Sequence, residues 1–162
     1  MLFPGTGLPE ELQFLDCFPV RFIIFIICGA PAPPYREVAM PKVLAVDDHE
    51  DILAIIRAKL SKNHYEVETV SDATQAIRLA KEFRPDVVLL DIMMPKITGF
   101  EICSAIKSDA AIGGTKVIFL TAKDMDFTRK KAEEVGAEGF IPKPFSPQEL
   151  LDYLNRLLGL AS

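Results

Sequence analysis

The sequence is poor in several things that would mark it for a particular role. It has three cysteines, Cys17, Cys28 and Cys103, far apart and with no Cys-x-x-Cys pair. That spacing argues against a zinc site or a disulfide framework and fits a reducing cytoplasm. Positive charge is also short: 18 lysines and arginines face 23 acidic residues, for a net charge of -5, and the acidic residues are spread along the chain. Without a basic field to gather phosphates, direct nucleic-acid binding is not expected. Long apolar runs are missing as well. The segment Phe22 to Cys28 is far short of the roughly 20 residues that span a bilayer, so no membrane partner is expected.

Residues 1–40 also lack a strand or helix period, and prolines and glycines flank FPVRFIIFIICGAPAPP. An apolar segment before small residues (Gly29, Ala30, Ala32) has the outline of a signal peptide. Upstream of it, however, Glu10, Glu11 and Asp16 stand against Arg21 alone, the reverse of a positive n-region. The expected organisation is an N-terminal extension over residues 1–40, poorly ordered or lying upstream of a natural start at Met40, followed by one domain over residues 41–160. A targeting or membrane-contacting leader is the competing reading. The composition, 49% hydrophobic and 25% charged, suits one soluble core.

What is present from Met40 onward is a regular change of period. KVLAV reads as a buried strand, and Asp51 to Leu60, with Ile52, Ile55, Ile56 and Leu60, as an amphipathic helix. Tyr65 to Val70 alternates as a strand, and SDATQAIRLAKEF follows as a helix capped by Ser71 or Asp72. Next come VVLLD, a helix near Phe100 to Lys107, and KVIFLT as a strand. Asp126 to Val135 is expected to be a helix ended by Gly136, and Gly139 to Ile141 a short strand. A last helix opens with Ser146 as N-cap, Pro147 at its first position and Glu149 placed for a capping box. Strands alternating with helices imply a parallel sheet covered on both faces. Ligands of such sheets gather beyond the carboxyl ends of the strands.

Those ends carry chemistry. Asp47 and Asp48 follow the first strand, Asp91 closes the third, Thr121 the fourth, and Lys143 follows the fifth. Each has an ordinary explanation alone: an aspartate caps a helix, a threonine satisfies backbone groups, a lysine sits on a surface. Jointly, three carboxylates brought together repel one another unless a hard divalent cation accepts their oxygens, and magnesium, or manganese in its place, suits a few carboxylates plus carbonyls and waters. His49, His64 and Cys103 attract no chemical assignment. In RKKAEE (Arg129 to Glu134), the i,i+4 spacings of Arg129 with Glu133 and Lys130 with Glu134 suggest a solvated charged face.

The motifs VDD (Val46 to Asp48), LLDIMMP (Leu89 to Pro95), Gly99, LTA (Leu120 to Ala122) and KPF (Lys143 to Phe145) together resemble the receiver domains of two-component response regulators, over essentially Pro41 to Leu158. The resemblance implies a flavodoxin-like, doubly wound five-stranded parallel sheet of order 2-1-3-4-5. It implies Asp91 as phosphoryl acceptor, with Asp48, Asp91 and the Met93 carbonyl as magnesium ligands and Asp47 acting mainly through a metal-bound water. Lys143, the Thr121 hydroxyl and the Ala122 N–H would contact the phosphoryl oxygens. It further implies a cis Lys143–Pro144 bond, although trans in an ordinary loop is the plain alternative. Thr121 and Phe140 would form the switch, unless Phe140 is simply a permanent core ring. Ala122 leaves room for an attacking water, with Met93 and Lys123 flanking its path. The implied role is a stand-alone cytoplasmic receiver that is phosphorylated by a sensor histidine kinase or a histidine phosphotransfer protein and signals to a downstream protein. It would be a switch with a hydrolysis timer more than an enzyme. Two other classes stay open: a receiver-like interaction module without phosphorylation, and a metal-dependent phosphatase of the haloacid dehalogenase type. Against the latter, Asp91 is followed two positions on by Met93, where that class carries a second aspartate.

Overall fold

In a computed structural model, residues 40–122 and 125–160 are described, the side chains of residues 125–128 excepted. The expectations for residues 1–39 and for Lys123 fall outside the described residues. The chain runs β1 (Lys42–Val46), α1 (Glu50–Ser61), β2 (Glu66–Val70), α2 (Ala76–Phe83), β3 (Val87–Asp91), α3 (Gly99–Ser108), β4 (Lys116–Thr121), α4 (Met125–Glu134), β5 (Gly139–Pro142) and α5 (Pro147–Leu158). All strand pairs are parallel, and the sheet order is β2-β1-β3-β4-β5. This is the order expected from the resemblance.

The three central strands are nearly continuous apolar runs because both of their faces are covered. Their two-residue period divides them cleanly. Val43, Ala45, Val87, Leu89, Ile118 and Leu120 pack against Leu53, Ile56 and Leu60 of α1 and Leu150, Leu151 and Leu154 of α5. Leu44, Val46, Val88, Leu90, Val117 and Phe119 face the other way, onto Ala76 and Ala80 of α2 and Ile102, Cys103 and Ile106 of α3. Truncating a leucine such as Leu89, fully buried in one of these layers, costs about 2–5 kcal/mol.

Two local expectations, the start of α2 and Ile55 on the buried stripe of α1, need correction, while the charged face of α4 is exposed at Arg129, Lys130, Glu133 and Glu134 as expected. Asp72 caps a 3-10 turn, Ala73–Gln75, and the regular helix begins only at Ala76. The cause is local: Asp72 accepts from both the Thr74 backbone N–H and its hydroxyl (3.1 and 2.8 Å), a bond that competes with regular helix. Ile55 lies 49% exposed, off the buried stripe of α1 formed by Leu53, Ile56 and Leu60. The ion pair found in α4 among the described residues is Lys131–Glu134 at 3.0 Å, and Arg129 lies over the Phe140 ring, 5.9 Å from its centroid. Phe140 itself is half-buried at the core margin, so it is not a fully buried core ring. The predicted helix stop at Gly136 is present, with a left-handed φ of 77° that suits glycine.

The topology places the site. The chain leaves β1 for β2 on one side and then crosses to β3 on the other, so the strand order reverses between β1 and β3. Val46 pairs with Leu90 in register. The next residue of each strand is an aspartate, and the two rise side by side at the switch point.

Candidate active site

Asp47 is fully buried and Asp91 is 4% exposed. A buried carboxylate with no partner costs several kcal/mol, so both need compensation. Lys143 supplies part of it: its Nζ lies 2.5 Å from Asp47 Oδ2 and 3.0 Å from Asp91 Oδ2. The backbone ties the lysine to the end of β4, since its N–H donates to the Thr121 carbonyl at 2.6 Å; the Lys143–Pro144 bond is cis, as the resemblance implied. Thr121 is 4% exposed at the end of β4, and Ala122 beyond it is exposed. Across β4 and β5, Thr121 pairs with Pro142 and Phe119 with Phe140, which puts Phe140 two residues back along β5 from that rim.

The remaining oxygens turn to local donors. Asp47 Oδ1 accepts from the His49 backbone N–H at 2.9 Å, and Asp91 Oδ1 from the Met93 N–H at 3.3 Å. His49 is the residue that sequence reasoning missed. Its Nδ1 sits 3.0 Å from Asp47 Oδ1 and 2.9 Å from Asp48 Oδ1. The hydrogen bond to Asp47, and then the charges of Asp48 and Asp47, raise its pKa above the usual histidine range. The signal was its position directly after two aspartates. His64, by contrast, lies exposed beyond α1, and burial pushes the Cys103 thiol up to about 11, so neither becomes a reactive group.

Gly99 has a spatial reason to be glycine. A Cβ there would run into the Asp91 carbonyl oxygen and lie 3.0 Å from both the Asp91 carbonyl carbon and Ile92 Cα. The Gly99 N–H donates to the Ile92 carbonyl at 3.1 Å, so the start of α3 is pressed directly against the end of β3. Thr98 and Glu101 lock that start with a capping box, which also went unforeseen.

Among the described residues, the Lys143 ammonium contacts Asp47 and Asp91 while Asp48 adds a third carboxylate to the rim. One ligand atom from each of Asp47, Asp48, His49 and Asp91 falls within a 4.8 Å group. Such an excess of hard oxygen donors fits a divalent cation. On the Lys143 side the surface is apolar, where Ile52, Ile55, Pro144 and Phe145 line a cleft of about 350 Å³ with Lys143; Met93 is 77% exposed, and on the Asp48 side the lining is polar, with Ser71, Asp72 and Lys96.

Residues 43–155 match the response regulator receiver domain family, and the chain belongs to that family. It is thus the receiver domain of a two-component response regulator, a class of phosphoacceptor switches. Among curated relatives, the alkaline phosphatase synthesis transcriptional regulatory protein PhoP of Bacillus subtilis is 37% identical over 109 residues, 67% of this chain and 45% of that protein. The chain spans about half the length of the curated relatives it matches. Among solved structures, the chemotaxis protein CheY4 of Vibrio cholerae superposes with a TM-score of 0.70 at 38% identity, over 73% of this chain and 98% of that one. The receiver domain of the sensor histidine kinase PA1611 from Pseudomonas aeruginosa, TM-score 0.67 and 30% identical over 75% of this chain and 99% of that one, was solved with a magnesium ion in its active-site cleft. Among the described residues no helix is long and apolar enough to cross a membrane.

Proposed function

We propose that Asp91 accepts a phosphoryl group from a phosphohistidine of a sensor histidine kinase or histidine phosphotransfer protein, and that the chain acts as a stand-alone cytoplasmic receiver signalling through protein contacts. The observation that carries this is the Lys143 ammonium held between Asp47 and Asp91 at a nearly dry rim, with more negative charge than it can neutralise. A divalent cation held by Asp48, Asp91 and the Met93 carbonyl, with Asp47 behind a water, would offset charge so that a phosphoryl anion can approach.

In the transfer, an Asp91 carboxylate oxygen forms the bond to phosphorus while the phosphorus–nitrogen bond of the donor breaks. The electron pair stays on the imidazole nitrogen, which then takes up a proton. Lys143 moves little to reach the new phosphoryl oxygens, because its Nζ already contacts Asp91. The Thr121 hydroxyl and the Ala122 N–H, at the end of the next strand, would donate to the same oxygens. Drawing Thr121 toward Asp91 would open space at the rim, and Phe140 would turn into it, leaving Arg129. Exposed Ile55 and Met93, with half-buried Phe145, offer an apolar surface that suits a docking donor protein.

The transcriptional role named for the Bacillus subtilis relative belongs to a protein about twice the matched length, and this segment carries no basic field of its own. Incubation of the full chain with magnesium and acetyl phosphate, followed by intact mass measurement, tests the proposal. A single hydroxylamine-labile phosphoryl adduct, absent in Asp91→Asn, is expected. A folded chain that takes no adduct would point instead to an interaction module, and sustained hydrolysis of unrelated phosphomonoesters to a phosphatase.

A further inference from the structure

We propose that His49 is a nitrogen donor to the rim's cation, so that this receiver holds borderline ions such as nickel, cobalt and zinc more tightly than its carboxylates alone would. The inference rests on the proposal that Asp47, Asp48 and Asp91 hold a divalent cation. Two donors adjacent on an octahedron with bonds of about 2.1 Å lie about 3.0 Å apart. His49 Nδ1 sits at that separation from the ligand oxygen Asp48 Oδ1, at 2.9 Å, and 3.0 Å from Asp47 Oδ1, the oxygen that would meet the cation through a water. The ring therefore stands where a donor next to the Asp48 oxygen on such a shell would stand.

Its placement is built into the backbone. The His49 N–H donates to the same Asp47 oxygen at 2.9 Å, which fixes the turn after β1 and delivers the ring to the rim. The imidazole side chain is 63% exposed, so water can complete the shell. Magnesium gains little from an imidazole, whereas nickel, cobalt and zinc favour it over a carboxylate or water. The consequence is a change of selectivity: the histidine separates the borderline metals from magnesium.

Calorimetric titration of the full chain with nickel and with magnesium, in the parent, His49→Gln and, as control for the second histidine, His64→Gln, measures that separation. His49→Gln should weaken nickel binding on the order of tenfold and leave magnesium binding within about twofold, while His64→Gln matches the parent. Pulsed electron paramagnetic resonance of manganese-loaded protein reports coordination directly. A nitrogen coupling is expected in the parent and in His64→Gln, and not in His49→Gln. Manganese bound without nitrogen coupling, or equal losses for nickel and magnesium, would overturn the role of His49 and leave the carboxylate site standing. A parent that retains no divalent ion would bring down both.

Discussion

The two ends of the sheet handle charge in opposite ways. At the amino ends of the strands every charge named has its own partner. Glu138 accepts from the Val117 N–H at 2.6 Å and from Lys107 at 2.7 Å; Lys107 also donates to the Thr115 carbonyl. Asp86 takes the Lys42 N–H at 2.7 Å, Lys116 reaches the Leu157 carbonyl, and Lys81 pairs with Asp109 at 2.7 Å. At the carboxyl ends, Lys143 stands against Asp47, Asp48 and Asp91. One-to-one pairing closes strand starts and joins helices to the sheet, so its purpose is served once the chain is folded. An unbalanced cluster is costly for folding, and groups held at such a cost gather where a reaction uses them.

Removing a charge should therefore have opposite consequences at the two ends. Asp91→Asn is expected to abolish the phosphoryl adduct completely while leaving the urea unfolding midpoint, without magnesium, no lower than the parent's, because it relieves like-charge crowding. A large loss of stability would mean that Asp91 is structural. Gly99→Ala comes next. A methyl group driven into the Asp91 carbonyl must shift either β3 or α3, at a cost of about 1–3 kcal/mol, and the rate of adduct formation should fall with it. At the other end, Glu138→Ala leaves the Val117 N–H without its side-chain acceptor and the Lys107 ammonium with the Thr115 carbonyl but no counter-charge. A destabilisation of about 1–3 kcal/mol in urea is expected, with adduct formation and magnesium affinity unchanged. If Glu138→Ala impaired the rim, the separation of the two ends would fail.

These differences also explain what could be foreseen. The sheet and its helices were legible because burial on two faces forces continuous apolar strands such as VVLLD, and amphipathic helices must follow. The rim aspartates, Thr121 and Lys143 were legible because polar residues closing apolar strands stand out. His49 was read past: its place directly after two aspartates was a signal, but which way the imidazole turns is decided by the Asp47 oxygen that accepts its backbone N–H. The paired end was silent. Glu138 and Lys107 are far apart in sequence and have no pattern of their own, and they meet only because α3 and the start of β5 are brought together by the fold. The early break of α2 depended on a bond between Asp72 and Thr74 that competes locally with regular helix.

The smallest expected effects lie in the capping boxes, which resemble the paired end in design but sit in water. Ser146 accepts from the Glu149 N–H at 3.1 Å while Glu149 accepts from the Ser146 N–H at 2.7 Å, and Thr98 with Glu101 repeats the arrangement at α3. Ser146→Ala should cost about 1 kcal/mol. The backbone hydrogen bond first, and the hydroxyl second, hold Glu149 below its ordinary value of 4.5, and Glu101 is lowered in the same way by Thr98. A carboxylate depressed in the folded state stabilises it fully above the unfolded value, and that contribution disappears as the pH falls through the folded one. Glu149→Gln should therefore be less stable than the parent near neutrality, and the gap should close on acidification below about pH 4.5. Because α5 covers the face of the sheet below Lys143, the same variant distinguishes a cap that serves folding from one that serves the rim. Its phosphoryl adduct at neutral pH should match the parent's, and a slower adduct would show that fraying of this helix reaches the lysine.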